Sequence, residues 1–136
     1  MLRYLYVVAL ALFGAVTWIA GMREAAVILI AASGLLHTIG NKPSAFCSRY
    51  RVGGCEAVLS SPYARPFGIP LEAVGAAWFA FLPLAYFTGI GAYWSVSTLL
   101  GVSVLVAIEL KLRAVCIYCT VAHAIGVAAA VLLLLA

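Results

Sequence analysis

Five long apolar runs occupy most of this chain, and they decide what it can fold into. Their approximate bounds are Leu5–Ala20 (run A), Ala25–Ile39 (B), Ile69–Phe87 (C), Trp94–Leu112 (D) and Val115–Ala136 (E). The 136 residues are 67% hydrophobic and only 9% charged. A soluble domain of that size keeps too much of its surface in water to hide so much apolar side chain. The chain therefore reads as an all-α polytopic membrane protein. A helix rises about 1.5 Å per residue and must cross roughly 30 Å of hydrocarbon. Runs C, D and E are long enough, A is marginal and B is short. The break GMRE (Gly21–Glu24) separates A from B, because one helix over both would far exceed the bilayer. Five spans in a single domain over residues 1–136 follow. Run A follows Arg3 as a leader peptide would, but a cut after Ala20 would put Trp18 where signal peptidase requires a small residue. It is read as a retained span.

The net charge of +4 and isoelectric point near 9.0 do not point to nucleic acid. The basic residues stand singly at the ends of apolar runs, as membrane anchors do.

One long polar segment remains, Asn41–Gly68, and chemistry is expected to concentrate there. Gly53-Gly54 signals a turn. Cys55–Leu59 reads as a short helix stopped by Ser60-Ser61-Pro62, with Val58 and Leu59 able to lie on the membrane surface. Pro70 falls in the first turn of run C, where its missing N–H is tolerated. Because C and D form a hairpin, the polar segment and the start of E share one membrane face. Cys47, Cys55, Cys116 and Cys119, all four cysteines of the chain, therefore lie on the same side.

Cys116 and Cys119 share a helical face, and Cys116 is expected in the first turn of E, where free N–H groups and the helix dipole favour a thiolate. A thiolate attacks disulfides, so this C-x-x-C is a natural redox pair. A second pair above it, Cys47 and Cys55, can exchange electrons with a soluble partner. The electrons would then need an acceptor in the membrane that is lipid-soluble and takes two electrons with two protons, requirements that a quinone meets. Two structural readings compete. A zinc site built from all four thiolates is one, although C-x7-C lacks the usual short knuckle; no metal is expected. Static disulfides that brace a non-enzymatic scaffold are the other.

The ordered set Cys47, Cys55, Ser60-Ser61, Phe67-Gly68 and Cys116-Ile-Tyr-Cys119 resembles the vitamin K epoxide reductase family over roughly His37 to His123. SSPYARPFGIPLEAVGA (Ser60–Ala76) is similar to its microbial branch. The resemblance implies a four-helix bundle around a quinone of the menaquinone or ubiquinone kind, formed by residues 25–136, with residues 41–68 as catalytic loop and 5–20 as an added N-terminal span. It implies that Cys119 lies nearest the quinone, Cys116 exchanges with Cys55, and Cys47 meets substrate thiols first. Ser61 would hold the lid segment over the site, and Phe67 with Gly68 would set the path into helix C. Ser61, Phe67, Cys119 and His123 are the expected cofactor contacts. Vertebrate members carry asparagine and tyrosine where Leu71 and His123 stand here. That favours an oxidoreductase that makes disulfides in a thioredoxin-like partner over a quinone-epoxide reductase that draws on protein thiols.

Among the remaining residues, His123 lies one turn below Cys119 and on its face, as a quinone hydrogen-bond partner or an interhelical contact. His37 reads as a helix-end polar contact. Glu109 precedes Arg113 by four, the favourable order for a helical ion pair, with a proton relay as the alternative. Trp18, Trp78 and Trp94 read as interface anchors. Gly34, Gly75 and Gly126 mark close helix approach. Arg3, Lys42, Arg49, Arg51, Arg65, Lys111 and Arg113 fall on the cysteine side and Arg23 opposite. By the positive-inside rule the cysteines are expected to face the cytoplasm, an inverted arrangement that fits a thermophile, in which internal disulfides occur; the alternative is the extracytoplasmic face usual for the family it resembles.

Overall fold

The computed structural model describes the backbone of residues 2–50 and 54–136, and the side chains of these except at 2, 3, 44, 49 and 50. Gly53 of the expected turn, the Arg51 charge and the Arg3 and Arg49 side chains lie outside the described set. Among the described residues the chain forms α1 (Leu2–Ile19), α2 (Arg23–Gly40), α3 (Pro43–Tyr50), α4 (Cys55–Leu59), α5 (Leu71–Phe87), α6 (Gly91–Leu112) and α7 (Ile117–Leu135), and no strand. Two single 3₁₀ turns, Pro62–Ala64 and Pro66–Gly68, lead into α5. Helices are the expected solution, since lipid satisfies no backbone N–H or C=O and each segment must do so internally.

The helices α2, α6 and α7 are long and apolar enough to cross a membrane, whereas the fully described part of α1 (Tyr4–Ile19) and α5 are shorter apolar helices. The lengths differ from the sequence reading in both directions. Run B gains its first turn from Arg23 and Glu24, the glutamate complementing the positive end of the helix dipole. Run C loses its start. Pro66–Gly68 forms a tight turn, and Pro70 takes the extended cap position with φ −63° and ψ 138°, not the first turn. The resulting α5 has 17 residues, about 26 Å at the helical rise.

α2 is the hub, packed against α1, α5 and α7, while α6 packs chiefly on α7 and only lightly on α5. Between apolar helices in lipid, association relies on close packing of small residues and interhelical hydrogen bonds. Ser33 on α2 donates to the Val7 carbonyl of α1 at 2.8 Å. Gly34 lies so close to the Phe79 ring of α5 that a Cβ there would collide with it. At the end away from the cysteines, Arg23 donates to the Ala136 carbonyl at 3.0 Å and its guanidinium lies 5.6 Å from the Trp18 ring centroid. Trp18 thus sits at an end, as expected of an anchor. Trp78 and Trp94 do not behave as anchors of that kind. Their rings stack at 4.3 Å between α5 and α6, and Trp78 Nε1 donates to Thr98 Oγ1 at 2.9 Å. The Trp78 indole thus satisfies its N–H on a neighbouring helix, whereas Trp94 Nε1 is buried without a partner among the described residues.

Candidate redox site

The site begins where α6 stops. Arg113 takes the left-handed conformation (φ 51°) and donates to the Leu110 carbonyl, while Ala114 donates to that of Glu109. This pair of bonds is the Schellman ending, usually built on glycine. The chain then runs extended to Cys116 (φ −99°, ψ 107°), which is the N-cap of α7 and not part of its first turn. The correction has a chemical meaning: a cap side chain can receive the helix's free donors, and the Cys119 N–H points to Cys116 Sγ at 3.4 Å.

Two short helices close over that cap. Pro43 opens α3, where a proline is tolerated, and the buried ring of Phe46 seats it against His37 and Tyr118 at centroid distances of 5.6 and 5.9 Å. α3 carries Cys47, which the sequence reading left in a loop. Gly54 precedes α4 with φ 109°, a conformation that L side chains avoid. A Cβ on Gly54 would lie 2.8 Å from the backbone N and O of Val115. The close approach sets Cys55 directly over the α6–α7 connection.

The outcome is a sulfur cluster. Cys47 and Cys55 form a disulfide, Cys116 and Cys119 are free thiols, and Cys116 Sγ lies 3.6 Å from Cys55 Sγ. The sulfurs of Cys47, Cys55 and Cys116 all fall within 4.8 Å of one another. All four cysteines belong to one buried cluster with Phe46, Val58, Ala114 and Tyr118. The Cys119 thiol, hydrogen-bonded to the Cys116 sulfur, holds the Cys116 thiol below the ordinary range. The Cys119 and Tyr118 backbone N–H groups add to this, against burial and the nearby Glu109 side chain.

Below the sulfurs lies a cavity of about 640 Å³ walled by α5, α6 and α7 and roofed by the segment Val58–Pro66. Its exposed liners Val74, Leu100 and Val104 place its opening at the α5–α6 seam, where the two helices pack least. Cys119 and His123 are on its wall, with Leu71 at the start of α5. Apolar walls, a seam open to the bilayer and a thiol at the inner end fit a quinone ring with a lipid-soluble tail. Ser61 also lines the cavity and donates to the Val58 carbonyl at 2.6 Å, tying down the end of α4. Phe67 does not line it. Its side chain is fully exposed and its backbone is left-handed (φ 56°), because the Pro66–Gly68 turn points the ring away from the bundle.

His37 is completely buried, with Nε2 3.0 Å from the Tyr118 carbonyl and its ring stacked on Tyr118 at 4.5 Å. Tyr118 in turn donates to the Thr38 carbonyl at 3.2 Å. This double clasp locks the start of α7 to α2 and so orients Cys119. The expected Glu109–Arg113 ion pair does not form: Glu109 Oε1 is buried without a hydrogen-bond partner among the described residues, and Arg113 leaves the helix in its left-handed turn. Sequence reasoning also missed the Lys111 ammonium donating to Tyr63 O–H at 3.0 Å, which pins the roof segment to α6. No periodic signal marks such a pair.

An apolar helical bundle that gathers a disulfide and two thiols over a membrane-open cavity defines a membrane oxidoreductase. The chain belongs to the vitamin K epoxide reductase family, whose profile matches residues 5–134. Proteins of this family use quinones, in keeping with the cavity. No curated protein and no solved structure matches the chain.

Proposed function

We propose that the protein oxidises the thiols of a soluble thioredoxin-fold partner and passes the electrons through Cys47–Cys55 and then Cys116–Cys119 to a membrane quinone. The observation that supports this most is the 3.6 Å approach of Cys116 Sγ to a Cys55 that is already bonded to Cys47. Thiol–disulfide exchange needs such contact between an attacking sulfur and a bonded one. A quinone in the cavity supplies a two-electron, two-proton acceptor. A partner thiolate attacks Cys47, and its second thiol resolves the mixed disulfide, leaving Cys47 and Cys55 reduced. Cys55 then attacks Cys116 of an oxidised Cys116–Cys119 pair and Cys119 departs as thiolate. Cys47 closes on Cys55 and frees Cys116. That end point has the cysteine pairing observed: outer pair oxidised, inner pair reduced. His123 and Leu71, both on the cavity wall, support disulfide formation over epoxide reduction, since they replace the tyrosine and asparagine of the vertebrate branch.

The cysteine end is assigned to the cytoplasm, on the excess of Lys42, Arg65, Lys111 and Arg113 there against Arg23 at the far end. Purified protein mixed with a reduced thioredoxin-fold protein and a short-chain quinone should yield quinol only while all four cysteines are intact. Quinol formation by a Cys116→Ser, Cys119→Ser double variant would refute the electron path. Labelling of Cys47 by a membrane-impermeant thiol reagent on intact cells, after mild reduction, would refute the orientation.

A further inference from the structure

Glu109 is the only carboxylate among the described residues with less than a tenth of its surface exposed. It sits in the last turn of α6, and its carboxyl group lies against the backbone N–H of Cys116. Oε1 has no partner. Neither of the described cations at the end of α6 neutralises it. Arg113 is turned out of the helix, and Lys111 commits its ammonium to Tyr63. An ionised carboxylate left with an unpartnered oxygen at this depth is strongly disfavoured, so the group is set up to hold a proton. Glu109 also lines the main cavity and a second, shallower one along the α6–α7 seam, and His123 lines both as well. The titratable groups that surround these cavities are Cys119, Tyr118 and His123 of α7, Glu72 of α5 and Tyr63 of the roof, with Cys116 just above; α4 presents only Val58 and Leu59. Tyr118 is committed to Thr38, and Tyr63 to Lys111. Glu109 is the buried carboxyl that reaches both the sulfur pair and the cavity.

We propose that Glu109 is the proton carrier between the inner cysteine pair and the acceptor in the cavity, with His123 next on the same wall. This rests on the quinone-reducing reading above. When Cys116 and Cys119 join, two S–H bonds break and one S–S bond forms. Two electrons pass to the quinone, and the two protons follow one at a time: the Glu109 carboxylic acid gives one to the cavity side, the resulting carboxylate takes one from the thiol pair, and the same exchange repeats for the second, so that Glu109 ends protonated as it began. No proton has to come from bulk water. The carboxyl group is therefore protonated in both the dithiol and the disulfide state, and its hydrogen-bonding surroundings change as the sulfurs beside it join.

The test is infrared difference spectroscopy of quinone-free protein in which Cys47 and Cys55 are both serine, cycled between the Cys116–Cys119 dithiol and disulfide. A protonated-carboxyl stretch that shifts or changes intensity between the two states, and is lost in Glu109→Gln, is expected. Gln retains an oxygen acceptor for the Cys116 N–H, and Glu109→Asp should restore a shifted band. A carboxyl band unmoved by the redox change, or one that persists in Glu109→Gln, overturns the proposal. Single-turnover quinol formation from the reduced pair should fall by about 10²–10⁴-fold in Glu109→Gln and partly recover in Glu109→Asp. Unchanged turnover in Glu109→Gln also overturns it. A wild-type protein that forms no quinol refutes the functional reading, whereas the infrared result still decides the role of Glu109.

Discussion

Gly54→Ala is the substitution that bears most directly on how the two cysteine pairs meet. Gly54 has φ 109°, and an added Cβ would sit 2.8 Å from both N and O of Val115 and 3.2 Å from the Ala114 Cα. All three are backbone atoms of the connection that ends in Cys116, so no flexible side chain can swing away to make room. A non-glycine residue held in a sparsely populated backbone region costs of order 1–3 kcal/mol, and the Cβ contacts add to that. The chain relieves both by lifting Gly54 off Val115, and Cys55 moves with it. A penalty of about 2–3 kcal/mol on the closed arrangement corresponds to roughly 30–150-fold at 1.36 kcal/mol per tenfold, in line with the loss that a 1 Å misplacement of reacting groups produces. Exchange between Cys47–Cys55 and Cys116–Cys119, followed by quenching and mass mapping of the disulfides, should slow by about that factor. Direct reduction of the inner pair by a small dithiol should stay near the wild-type rate, because α7 is untouched. Exchange within about threefold of wild type would show that the sulfurs meet without this backbone contact, and the account of Gly54 would fail.

Three other outcomes follow from the same geometry. In protein with the Cys47–Cys55 bond closed, the ultraviolet thiolate band assigned by Cys116→Ala should titrate below the ordinary thiol range and move upward in Cys119→Ala, since the Cys119 thiol is the largest cause of the shift. The pKa is depressed in the folded state, so the associated stability is present above the unfolded thiol pKa and is lost as pH falls through the folded one; thermal unfolding across that window checks the sign. Gly34→Ala drives a methyl into the Phe79 ring, and overpacking of this kind should cost about 1–3 kcal/mol in detergent unfolding. Tyr118→Phe deletes the bond to the Thr38 carbonyl while keeping the ring on His37, for a loss of about 0.6–1 kcal/mol in the same unfolding assay.

The large elements were legible because lipid leaves a sequence few options. An apolar run of the required length becomes a helix, and hairpin connectivity then decides which loops share a face. That logic brings Cys47, Cys55, Cys116 and Cys119 to one side from connectivity alone. It stops at distances and at helix ends. Helix α3 was invisible because its eight residues are too few to be stable alone; Phe46 must first find His37 and Tyr118. Arg113 was unreadable as a helix stop because left-handed endings normally advertise themselves with glycine. Once that stop is placed, Glu109 changes meaning. Spacing alone pairs it with Arg113 on a continuing helix, but the helix does not continue, and the cation is carried away from the carboxylate. Ion-pair patterns in apolar chains therefore depend on where the helix ends. In a chain with so few charges, a carboxylate stripped of its expected partner and buried beside reactive sulfur is left with proton transfer as its natural chemistry.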